Sequence, residues 1–166
     1  MTSTRRIFCL ELSITSKERA RPFKGAEVSH VPLRFALFGL GDFGPQLAKY
    51  LSEFGELVAV SDPDSDACER FCSHSSFKVR TYSHHEPLLS SEAIDAVAIT
   101  SPNFTHREIA VAAARAGKHV YCEKAMANNV SDCWEMIHAC RDAGVKLMVG
   151  HKRRLRPPLG SYDSVA

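Results

Sequence analysis

The sequence predicts an α/β fold, a doubly wound parallel sheet, from three observations. Apolar runs of strand length alternate with segments of helical period along most of the chain. A Gly-x-Gly-x-x-Gly run follows the first of these strands directly. An acid closes the second strand, about 20 residues beyond the glycines. The composition permits such a fold. A chain of 166 residues is enough for one domain with a real core. Apolar content of 45% and charged content of 24% are ordinary for a globular protein. A net charge of +2 argues against a dedicated nucleic-acid binder. No apolar stretch approaches the roughly 20 residues that a membrane span needs.

The first strand is the run Phe35-Ala36-Leu37-Phe38, which leads into Gly39-Leu40-Gly41-Asp42-Phe43-Gly44. A helix should follow, with Leu47, Tyr50, Leu51 and Phe54 at i, i+3, i+4 and i+7, and Pro45 in its first turn. Leu57-Val58-Ala59-Val60 is the second strand, ending in Ser61-Asp62. Strand, glycine turn, helix, strand and acid together make the dinucleotide-binding fingerprint in the context it requires. Gly39 would permit the tight turn, Gly41 the approach of the pyrophosphate, and Gly44 close packing of helix on strand. The helix start offers backbone N–H groups and a positive dipole end to the phosphates. Asp42 is the awkward member, since its carboxylate would compete with phosphate unless it points to solvent.

The alternation continues. A helix is expected over Ser65 to Cys72, a short strand over Phe77 to Arg80, and a helical turn over Glu86 to Ser90. Ala96-Val97-Ala98-Ile99 reads as a buried strand, followed by a helix capped by Asn103 and stopped by Gly117. His119 to Cys122 is the next strand. Ser131 would cap a helix carrying Cys133, Met136, Ile137 and Cys140 on one face, and Lys146 to Val149 the sixth strand. Ligands bind at the carboxyl ends of strands in such a sheet. That singles out residues 39–44, Asp62, Thr100, Ser101, Pro102, Asn103, His106, Glu123, Lys124, Gly150 and His151.

The six cysteines show no metal-ligand spacing and read as reduced, mostly buried thiols, which predicts a cytoplasmic protein. His84-His85 has no cysteine or acid at useful sequence spacing, so no metal is expected. Residues 1–32 carry more basic than acidic side chains and hold no sustained period, which predicts a disordered basic extension rather than a leader.

The strand ends also carry an ordered set of motifs: Ile94 through Asn103, then His106, then Ala116-Gly117-Lys118-His119-Val120, then Cys122-Glu123-Lys124, then Gly150-His151 with Arg153 close behind. In this the chain resembles the glucose–fructose oxidoreductase / inositol dehydrogenase (Gfo/Idh/MocA) family over about residues 33–156. The resemblance implies an NAD(P)-dependent oxidoreductase acting on a sugar, cyclitol or related hydroxylated substrate, with Lys124 brought to the nicotinamide and the reacting hydroxyl, and His151 and Arg153 on the substrate side. The family usually has proline after that lysine, where this chain has Ala125. Intrinsic amide preference then predicts a trans Lys124–Ala125 bond, since cis costs about 2.5–4 kcal/mol before a non-proline residue. Family members also carry a second domain, an open sheet that builds most of the substrate pocket. The expected organisation is therefore a nucleotide-binding half over 33–150 and a truncated linker or tail over 151–166. Such a chain would be inactive alone and prone to self-association.

Each role has a plainer alternative. Asp62, which would hold the adenosine ribose and favour NAD over NADP, could be a solvated turn acid before Pro63. Asn103 could be only a helix cap and His106 a surface position. Glu123 and Lys124 could form a surface ion pair. The cluster Lys152-Arg153-Arg154-Arg156 reads as solvated surface or an interdomain contact. A non-catalytic dinucleotide sensor or scaffold is the competing function. A methyltransferase also uses a glycine turn and an acid, but the Lys124 motif argues against it.

Overall fold

The computed structural model describes residues 32–91 and 93–151. The basic extension, Arg153 and its basic neighbours, and the tail lie outside the described residues. Among the described residues six strands and five helices alternate in strict order: β1 (Leu33–Phe38), α1 (Gly44–Leu51), β2 (Gly55–Ser61), α2 (Ser65–His74), β3 (Arg80–Tyr82), α3 (His85–Ser91), β4 (Ala96–Ile99), α4 (Asn103–Arg115), β5 (His119–Glu123), α5 (Val130–Asp142) and β6 (Leu147–Gly150). All pairings are parallel, and the strands lie in the order β3-β2-β1-β4-β5-β6. The expected doubly wound sheet is therefore present, and the order in which strands are added reverses between β1 and β4.

Register decides where the chemistry can be. Tyr82, Ser61, Phe38, Ile99, Cys122 and Val149 pair in a single row across the sheet. The residues just beyond that row, among them Asp62, Gly39, Thr100, Glu123 and Gly150, all emerge at one edge. The sheet is buried on both faces, as a parallel sheet must be. One face packs Phe35, Leu37, Leu57 and Val60 against Leu47 of α1 and Phe71 of α2. The other packs Phe38, Val97 and Ile99 against Leu88 of α3, Ile109 of α4 and Met136 of α5. Each apolar side chain fully removed from water contributes about 1.5–3 kcal/mol, so the row of strand ends stands on a rigid base.

Several local expectations need correction. Tyr50 and Phe54 are exposed: α1 ends at Leu51, before Phe54, and its core face is Gly44, Leu47 and Ala48, with Leu51 partly buried beside them. Strand β3 starts at Arg80 rather than Phe77. The alternation of Phe77 and Val79 serves packing under α2 instead, where the Phe77 ring stacks on Phe71 at 5.9 Å. Asn103 is not a cap: Pro102 occupies that position, and Thr105 Oγ1 donates back to its carbonyl. Gly117 ends α4 as expected, at φ 72° after the Ala116 cap, with its N–H on Ala114 O. On α5, Val130, Trp134 and Ile137 are exposed and only Met136 and Cys140 are fully buried.

Ser131 does not cap α5 either; Asn129 does. Its Oδ1 accepts from the Asp132 N–H at 2.8 Å while its amide donates to the Asp132 carboxylate at 2.8 Å. Asn129→Ala should therefore lower stability by about 0.5–2 kcal/mol, and Ser131→Ala by clearly less. Urea unfolding of the two variants checks this, and an equal effect of both would contradict the assignment.

Candidate functional site

A cleft of about 780 Å³ opens along the carboxyl edge of the sheet, lined by Gly39, Gly41, Asp62, Thr100, Ser101 and Pro102 among others. That volume suits a small-molecule cofactor. The glycine turn forms its floor. Gly39 sits at φ 94°, its N–H donates to Ser61 O at 2.9 Å, and its carbonyl accepts from Thr100 Oγ1 at 2.7 Å. Gly41 is different. A Cβ built there would meet nothing within 4 Å, so no packing within the described chain excludes a side chain. The Gly41 carbonyl accepts from the Gly44 N–H at 3.2 Å, at the start of α1, whose N-cap makes no side-chain cap bond and whose first turn has no acid. Asp42 is exposed and Phe43 half-buried as the N-cap residue. This is the arrangement an anionic group close to backbone would use.

Asp62 does more than the spacing suggested. Its Oδ2 accepts from the Leu40 N–H at 2.7 Å and its Oδ1 from the Asp64 N–H at 2.9 Å. One carboxylate thus ties the glycine turn after β1 to the loop after β2. A carboxylate has about four acceptor sites, so capacity remains for hydroxyl donors in the cleft. Sequence spacing located the residue but not its second task, which depends on the register of β1 against β2.

Beyond β4 and β5 the predicted residues separate into two groups. Ser101 and Pro102 line the cleft, and Asn103 is exposed at the first turn of α4. His106 turns inward: it is 1% exposed, with Nε2 2.7 Å from Ser101 O and Nδ1 3.0 Å from Ala125 O. Glu123 is buried, accepting from Tyr121 OH at 2.8 Å and from the backbone N–H of Lys124 at 3.2 Å. Burial, and then the adjacent Glu123 carboxylate, push the Tyr121 phenol well above its ordinary range, so it remains a donor. Burial likewise pushes the Cys122 thiol up to about 12, which leaves it an unreactive thiol at neutral pH. Lys124 and His151 are exposed, and no Glu123–Lys124 side-chain ion pair is present among the described residues.

The Lys124–Ala125 peptide is cis. The expectation of a trans bond came from amide preference alone and is corrected here. A tertiary contact acts on this loop as well, since Ala125 O meets His106 from α4.

The cleft also holds residues that sequence reading passed over. Arg70 of α2 lines it and pairs with Asp64 at 3.2 Å. Phe104 lines it and is 72% exposed. His85, Glu86 and Glu108 bring ligand atoms within 4.8 Å of one another, so the histidine pair does have acidic neighbours in space. Glu108 comes from α4, which explains why spacing along the chain did not find it. His85 also packs edge-on to Phe38, at 6.5 Å between ring centroids.

Comparison with known proteins agrees with this geometry. Residues 33–151 match the Gfo/Idh/MocA pattern, described as an oxidoreductase family with an NAD-binding Rossmann fold. The chain is 34% identical over 124 residues to 2,7-anhydro-N-acetylneuraminate hydratase of Escherichia coli (strain K12), covering 72% of this chain and 32% of that protein. It is 34% identical over 128 residues to an NADP(+)-dependent scyllo-inositol 2-dehydrogenase of Bacillus subtilis (strain 168), covering 75% and 38%. Among solved structures, the WlbA dehydrogenase of Bordetella pertussis, in complex with NADH and UDP-GlcNAcA, superposes with a TM-score of 0.65 at 30% identity, covering 71% of this chain and 36% of that one. The chain spans about a third of the length of these relatives. No helix among the described residues is long and apolar enough to cross a membrane. The chain belongs to the Gfo/Idh/MocA oxidoreductase family, and residues 33–151 are its NAD-binding Rossmann domain.

Proposed function

We propose that this domain holds NAD(H), in preference to NADP(H), for hydride transfer between nicotinamide and a hydroxylated substrate of the sugar or cyclitol class. The observation that carries the reading is the row of strand ends. It sets the Asp62 carboxylate against the Leu40 N–H beside an open Gly41, and sets Lys124 two strands beyond β1. The adenosine half of the cofactor would lie over β1 to β3 and the nicotinamide half over β4 to β6. Asp62 would accept from the ribose hydroxyls. The start of α1 would face the pyrophosphate. The nicotinamide supplies the hydride acceptor or donor when bound. Lys124, exposed at the end of β5, would donate to the substrate oxygen and take up or release its proton. Glu123 would act by fixing the backbone from which that amine extends.

The 166 residues alone should bind NADH yet turn over inositols and other polyols far more slowly than about 1 per second, an ordinary enzyme rate. Lys124 and His151 stand at an open edge and supply little to hold a substrate in place. Positioning of substrate contributes about 7–11 kcal/mol of barrier lowering in favourable cases. Fluorescence titration with NADH, with S-adenosylmethionine as control, tests the binding. A polyol panel monitored by cofactor reduction tests the rate. Absence of NADH binding, or tighter binding of S-adenosylmethionine, would overturn the reading. Turnover at an ordinary rate would show that these residues suffice.

A further inference from the structure

His106 is a deeply buried titratable side chain, 1% exposed, and the proposed hydride-transfer roles do not use it. Its ring is carried on the first turn of α4, a helix anchored to the sheet by Ile109, Ala110, Ala113 and Ala114. Nε2 reaches the carbonyl of Ser101, in the loop leaving β4. Nδ1 reaches the carbonyl of Ala125, in the loop leaving β5, and lies 3.2 Å from Cys122 Sγ. Ser101 follows Thr100, whose hydroxyl holds the glycine turn at Gly39 O. Ala125 follows Lys124. One imidazole therefore spans the loops that leave β4 and β5, and a phenyl ring of similar size would leave both carbonyls without their nitrogen partner.

We propose that His106 is a positioning residue for the nicotinamide half of the site. Lying between Ser101 O and Ala125 O, and donating to a carbonyl from each ring nitrogen that carries a hydrogen, it fixes the spacing of the loops after β4 and β5, and so the place of the nicotinamide relative to Lys124. This rests on the dinucleotide reading above. The adenosine half hangs on Asp62 and the glycine turn, which His106 meets only through Ser101, so losing it should affect the nicotinamide end of the ligand more than the adenosine end.

That asymmetry supplies the test. NADH and ADP-ribose, which lacks the nicotinamide, are titrated against wild type, His106→Phe and His106→Gln. The expected result is tighter binding of NADH than of ADP-ribose by wild type. In His106→Phe, NADH affinity should fall at least tenfold while ADP-ribose affinity stays within twofold. His106→Gln keeps an amide donor and should recover part of the loss. If the phenylalanine variant fails to fold, the glutamine variant is read by the same ratio, with NADH weakened more than ADP-ribose as the expected outcome. Equal loss of both ligands, no loss of either, or failure of both variants to fold would assign His106 a purely structural role and overturn the inference. A wild type that binds ADP-ribose and NADH equally would also overturn it while sparing the dinucleotide reading. A wild type that binds neither removes both.

Discussion

Gly39→Ala is expected to destabilise the domain by about 2–4 kcal/mol and to abolish measurable NADH binding. Two independent effects act at this position. The backbone is at φ 94°, which an L side chain rarely adopts. A Cβ there would also fall against Ser101 N, 2.6 Å from Ser101 Cα and 2.8 Å from Thr100 C. Those atoms are backbone, fixed by Thr100 N–H on Phe38 O at 2.8 Å, so they cannot rotate away as a flexible side chain would. Relief requires the turn to lift off β4, which breaks the Thr100–Gly39 bond and moves the Leu40 N–H away from Asp62. Gly41→Ala is the matching control, since a Cβ meets nothing there. It should leave stability within about 0.5 kcal/mol, as ordinary surface substitutions do, while weakening NADH. Urea unfolding and NADH fluorescence on both variants decide the matter. A folded Gly39→Ala with wild-type affinity would mean that the turn is not the binding element.

These two glycines show how far the sequence could be read. The Gly-x-Gly-x-x-Gly pattern carried the strand–turn–helix context because each part has its own local signature, and periodicity placed all six strands within a few residues. The pattern could not say which glycine the fold needs and which it leaves open; that depends on the Thr100–Ser101 backbone after β4 passing against Gly39 and on none of the described residues covering Gly41. The same limit explains the other misses. Phe77 and Val79 alternate as a strand does, yet their partner is α2, and a period cannot name its partner. Asn103 and Ser131 are good capping types, but cap position depends on where the preceding loop turns, and the loops chose Pro102 and Asn129. His106 was legible as a strand-end residue. Its burial between two carbonyls was not, because Ala125 lies 19 residues away along the chain. The cis bond belongs with these: a local preference was set aside by contacts from elsewhere in the fold.

Asp62→Ala is expected to lower NADH affinity by about 10–100-fold, the equivalent of about 1.5–3 kcal/mol for hydrogen bonds to a charged group, and to reverse the preference between cofactors. On the proposed reading the wild-type carboxylate would repel a 2′-phosphate and accept from ribose hydroxyls. Sequence alone suggested that no cation stands ready to replace it, since no arginine follows Asp62 directly. The fold brings one close: Arg70 lines the same cleft, held by Asp64 at 3.2 Å. Once Asp62 is gone, Asp64 and Arg70 remain as a charged pair in that lining, and a 2′-phosphate can compete for the guanidinium. NADPH should then bind as tightly as NADH or more so. Arg70→Ala in the Asp62→Ala background should cancel the gain in NADPH affinity without restoring NADH. The substitution also removes the acceptor for Leu40 N–H and Asp64 N–H, so Asp62→Asn serves as the control that keeps an acceptor oxygen and removes the charge. If charge governs the choice, Asp62→Asn shifts the NADH/NADPH ratio toward NADPH while losing less NADH affinity than Asp62→Ala. Titration of both cofactors against the four proteins reads these ratios directly. A wild type that binds NADPH as well as NADH, or a ratio that does not move in either Asp62 variant, would show that the acid holds the glycine turn and does not select the cofactor.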